Sequence, residues 1–110
     1  MSQPSARVRD FADTVAARAQ NAPAFARALL AEAIALFVNG EPESAKVILR
    51  DLVVATMGFE VLADEIGKPA KNLRRMLSQS GDPTITNVCT IFAAIKRALK
   101  VEVRAQVVMA

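Results

Sequence analysis

The sequence has no histidine, no tryptophan and no tyrosine, and only one cysteine, Cys89, in 110 residues. Without histidine there is no imidazole for acid–base work, for a Ser-His or Cys-His pair, or for the commonest nitrogen ligand of zinc. A lone cysteine cannot close an internal disulfide, and it suits a reducing compartment. The four glycines, Gly40, Gly58, Gly67 and Gly81, are too scattered to form a phosphate-cradling loop. The longest apolar run, Ala28 to Val38, is broken by Glu32 and falls short of the ~18 residues a membrane helix needs. The first ten residues contain no apolar stretch of signal-peptide length. Together these absences predict a cytoplasmic protein with no membrane contact, no cofactor, no metal and no enzymatic activity.

What the chain does contain is aliphatic. Hydrophobic residues make up 53% of it while aromatics supply only 5%, so a core has to come from Ala, Leu, Ile and Val packed between helices. The expected fold is mainly α, with the whole chain, 1–110, as one domain: amino-terminal helices over 1–57, a helical core over 58–99 and a short carboxy-terminal β-strand over 100–110.

Periodicity places the elements. Val8, Phe11, Val15 and Ala19 recur at helical spacing over Arg7 to Ala19. Pro23 can open a second helix, which runs to about Val38, and Asn39-Gly40 and Pro42 punctuate the entry to a third. The second helix is apolar on more than one side, which predicts a central position with neighbours on two faces. Short helices follow from Phe59 to Ile66 and from Pro69 to near Gly81. Thr84 reads as the N-cap of an amphipathic helix carrying Val88, Ile91, Phe92, Ile95 and Leu99, and Cys89 beside them reads as a small core residue. After Lys100 the period changes to two: Val101, Val103, Ala105 and Val107 alternate with Glu102, Arg104, Gln106 and Val108, the pattern of a strand.

Charge is divided unevenly. Residues 1–67 carry six basic and nine acidic groups, whereas residues 68–110 carry eight basic and two acidic. One end of the molecule therefore attracts polyanions. Where the basic half begins, two short helices between Phe59 and Gln79 meet at Gly67, with the small Ala63 in the first to let the second cross closely. Leu62, Ile66, Leu73 and Met76 form the inward set. Lys68, Lys71, Asn72, Arg74, Arg75, Ser78 and Gln79 form the outward one, with no acid from Lys68 to Gln79. A helix-turn-helix that reads double-stranded DNA needs this composition, because Arg and Lys pair with guanine edges and Asn with adenine. Lys71, Asn72, Arg74 and Arg75 are the candidate base readers, and Lys68, Ser78 and Gln79 the candidate phosphate contacts.

Three stretches, Leu62-Ala63-Asp64-Glu65-Ile66-Gly67, Leu73-Arg74-Arg75-Met76-Leu77-Ser78 and Ser80-Gly81-Asp82-Pro83-Thr84, resemble the addiction-module antidote group of the phage-repressor, Xre-type helix-turn-helix superfamily. The resemblance spans about Asn39 to Arg104. It implies a bundle of five or six helices, a homodimer on a palindromic operator, and an antitoxin-like repressor of its own operon that in some members has a toxin partner. The chain departs from the group's pattern at Lys68, Pro69 and Arg74. The alternative is a protein-interaction module in which the helices Arg7 to Ala19 and Phe25 to Val38 bind a toxin or another partner.

Overall fold

Two prolines open the first two helices. In the computed structural model, which describes residues 23–110, α1 spans Pro23–Val38 and α2 spans Pro42–Thr56; a first-turn proline loses no helical bond, because that N–H has no intrahelical acceptor. The amphipathic stretch Arg7 to Ala19 lies outside the described residues. Between α1 and α2 the chain reverses through a Schellman motif. Gly40 sits at φ 85°, its N–H donates to the Phe37 carbonyl at 3.3 Å, and the Glu41 N–H donates to the Leu36 carbonyl at 2.8 Å. These bonds satisfy carbonyls that the helix end would otherwise leave open.

The helices that follow are α3 (Gly58–Ile66), α4 (Ala70–Met76) and α5 (Ile85–Leu99). Helix α5 starts on Thr84, whose hydroxyl accepts the Asn87 N–H at 3.1 Å. It ends in a second Schellman motif with a lysine where glycine is usual. Lys100 adopts φ 57°, and the N–H groups of Lys100 and Val101 donate to the carbonyls of Arg97 and Lys96, both at 3.2 Å. Val101 then folds against the core, as the residue after such a cap commonly does.

The core is built from Leu30 of α1, Leu49, Leu52 and Val53 of α2, Leu62 of α3, Leu73 and Leu77 at α4, and Ile91 and Ile95 of α5. Helix α2 packs against α1, α3 and α5. Helix α1 meets both α2 and α5, the neighbours on two sides that its apolar pattern predicts, while its alanines divide between core and surface: Ala24, Ala28, Ala31 and Ala35 stand exposed, and Ala26, Leu30 and Ala33 face inward. Phe37 of α1 and Phe92 of α5 meet edge to face, centroids 5.7 Å apart, an arrangement that aligns the positive ring edge with the negative ring face.

The expected carboxy-terminal strand does not form: no strand occurs among the described residues, and 101–110 are irregular. Alternation provides a strand with one apolar row, but a strand also needs a neighbouring edge to pair its N–H and C=O groups. Residues 23–100 are helices and turns and offer none. No helix among the described residues is long and apolar enough to cross a membrane.

Candidate nucleic-acid interface

The candidate interface lies where α3 and α4 meet. Phe59 and Leu62 are buried from α3 and Leu73 from α4, which fixes the two short helices on the α2–α5 body. Ala63 at the crossing is half-buried, and its carbonyl accepts from both Gly67 N–H (2.9 Å) and Lys68 N–H (3.2 Å). That double acceptance requires the left-handed backbone of Gly67, φ 69° and ψ 35°, a conformation that only glycine adopts without steric cost. Pro69 follows in an extended conformation and sets the start of α4.

Of the seven residues expected at the interface, four lie on α4. Lys71, Arg74 and Arg75 are exposed and Asn72 is half-buried. Lys71 and Arg75, one turn apart, share the face opposite the buried Leu73. The Arg75 guanidinium donates to Asn72 Oδ1 at 3.4 Å. Lys68 lies in the turn before the helix, half-buried. Among the described residues no carboxylate forms a salt bridge with Lys68, Lys71 or Arg75, so their charges are directed outward.

Arg74 is placed differently. Its guanidinium pairs with Glu60 Oε2 at 2.9 Å and lies 5.5 Å from the centroid of the Phe59 ring, so it bridges α4 to α3. Ser78 and Gln79 fall beyond α4, which ends at Met76 rather than near Gly81. The Ser78 hydroxyl donates to the Arg75 carbonyl at 2.7 Å and the Gly81 N–H to the Ser78 carbonyl at 3.0 Å. These bonds turn the chain out of the helix two residues before Gln79.

Two features of this turn escape sequence reading. Lys46 of α2 is only 3% exposed; its ammonium donates to the Gly81 carbonyl at 2.5 Å and the Gln79 carbonyl at 3.5 Å and pairs with Glu43 Oε1 at 3.1 Å. Gly81 in turn packs directly on the end of α4: a Cβ there would lie 2.0 Å from the Arg75 carbonyl oxygen and 2.5 Å from that of Met76. The signal available for Lys46 was its register, since it stands three and seven residues before Leu49 and Val53 on the inward side of α2.

Cys89 is exposed rather than in the core, because α5 turns it toward an open apolar groove of about 680 Å³ between α1 and α5, lined by Ile34, Phe37, Val88, Phe92 and Val103 among others. The described residues contain no group of three His, Cys, Asp or Glu side chains placed to hold a metal.

No family model, curated protein or solved structure matches this chain.

Proposed function

We propose that the protein is a sequence-specific, DNA-binding transcriptional regulator, an antitoxin-like repressor of its own operon and not an enzyme, with α3, Gly67 and α4 as its helix-turn-helix. The observation that carries this reading is the outward face of α4: Lys71 and Arg75 lie exposed on a short helix held by the buried Leu73, with Lys68 beside them and, among the described residues, no salt-bridged acid on any of the three. A helix of this size fits the major groove, where its cations meet phosphates and guanine edges. Arg75, Lys71 and Asn72 are the favoured base readers. Arg74, already engaged by Glu60 and Phe59, orients α4 on α3.

We further propose that it acts as a homodimer on a palindromic site. The apolar row of 101–110 has no partner edge among the described residues, and Val103, Val107, Val108 and Met109 are exposed. The same segment of a second copy would supply the missing edge, and two-fold symmetry in the protein matches two-fold symmetry in an operator. The deciding experiment is a fluorescence-anisotropy titration with duplexes from the region upstream of the gene against a shuffled duplex. Tight, selective binding is expected; equal, weak binding to both would remove the reading.

A second reading draws on α1, whose Ala24, Ala28, Ala31, Ala35 and Val38 leave an apolar face exposed among the described residues. On that reading the amino-terminal helices bind a protein partner such as a toxin. Substituting Ala31 and Ala35 with Glu would abolish capture of that partner and leave duplex binding intact.

A further inference from the structure

We propose that Lys46 is a positioning residue for the DNA-reading helix: it ties the segment after α4 to α2 and thereby fixes the end of α4 that carries Arg75. This inference rests on the DNA-binding reading for its functional half, and on geometry alone for its structural half.

Burying an ammonium is costly unless its donors are satisfied. A lysine has three donors, and here they face three acceptors, Glu43 Oε1, the Gly81 carbonyl and the Gln79 carbonyl. An apolar side chain would continue the inward stripe of Leu49 and Val53 without any desolvation. What the ammonium adds is a pair of bonds to a segment 33 and 35 residues further along the chain. Helix α4 has only seven residues and could not hold its own carboxy-terminal end in place. Gly81 is held on both sides, by Lys46 at its carbonyl and by the Arg75 and Met76 carbonyls against its Cα. Lys46 has no phosphate within its reach in this role: it is almost fully buried, and its effect on DNA passes through Gly81.

The test compares wild type, Lys46→Met and Lys46→Arg in the full chain by amide hydrogen exchange and by duplex titration over a range of salt. Lys46→Met is expected to keep its helix content, to lose exchange protection in residues 78–84 while α1 and α2 keep theirs, and to bind cognate duplex more weakly by on the order of tenfold, the scale of re-ordering one or two side chains on binding. The slope of log affinity against log salt should stay that of wild type, because no phosphate contact is lost. Lys46→Arg, which keeps donors at the site, should recover most of both readouts. A slope reduced by about 0.9 would instead mark Lys46 as a direct phosphate contact and overturn the proposal. Unchanged protection at 78–84, or a Lys46→Met chain that unfolds as a whole, would overturn it equally. If wild type binds no duplex while the exchange result holds, the DNA reading fails and the anchoring of the segment by Lys46 stands.

Discussion

The guanidinium of Arg74 lies over the ring of Phe59, 5.5 Å from its centroid, while pairing with Glu60 on the same helix. The residue that composition alone would place among the base readers is thus employed in holding the two short helices together. The Arg74 and Glu60 side chains are 54% and 78% exposed, so the ion pair is weak in water and the stacking matters at least as much. Arg74→Ala should destabilise the fold by about 1 kcal/mol in urea melts and weaken duplex binding without relaxing preference at any single base. Arg75→Ala should leave the melt unchanged, cost roughly 1–3 kcal/mol on the cognate duplex and blur one position. The opposite pattern in the two variants would reverse their roles.

The two functional glycines should fail in different ways. At Gly67 an added Cβ meets nothing within 4 Å, so Gly67→Ala carries only the left-handed backbone strain, roughly 1–2 kcal/mol. At Gly81 the backbone is not left-handed, but the Cβ would overlap two carbonyls of α4. Carbonyls of a helix end cannot move aside as a side chain can, so Gly81→Ala should be the more destabilising change by chemical denaturation. Equal midpoints for the two variants would count against the close approach at Gly81.

Duplex binding should weaken steeply with salt, since no carboxylate among the described residues forms a salt bridge with Lys68, Lys71 or Arg75 and these cations would release counterions from phosphate. If a dimer makes six or more such contacts, affinity should fall by roughly 10³ or more between about 50 and 200 mM salt. An affinity indifferent to salt would remove the electrostatic account of the α4 face.

Deleting residues 102–110 keeps Val101, which packs on the core, and removes a tail that pairs with no strand among the described residues. The truncated chain should retain its melting behaviour, sediment as a monomer and bind a palindromic duplex far more weakly, while wild type sediments as a dimer. A truncated chain that stays dimeric would move the interface to another surface, such as the exposed alanine face of α1.

Much of the helical architecture is legible in the sequence because its punctuation is local. Pro23 and Pro42 start helices, Gly40 and Gly67 end them at positive φ, and Thr84 caps α5 as its type predicts. The inward set Leu62 and Leu73 is likewise legible from spacing. The tail was misread because alternation describes one strand and says nothing of a partner. Cys89 was misread because its position depends on how closely α1 approaches α5, which is a tertiary matter. Lys46 shows only its inward register: a lysine in an amphipathic pattern is ordinarily solvated, and the two of its acceptors that lie far along the chain are backbone carbonyls, which have no signature in sequence.

The bond from Lys46 to Gly81 also bears on how the chain opens and closes. It spans 35 residues, whereas α1 and α2 are joined by a tight turn and pack as neighbours in sequence. Contacts between sequence neighbours form early, and those that close long loops form after the entropy of closure has been overcome. The grip of α2 on the α4–α5 connection therefore belongs to the last stage of assembly, and a contact absent from the transition state governs the rate of escape from the native state rather than the rate of reaching it. In a chevron plot, loss of the Lys46 ammonium would lift the unfolding limb and leave the folding limb where it was, making this buried lysine a latch on kinetic lifetime.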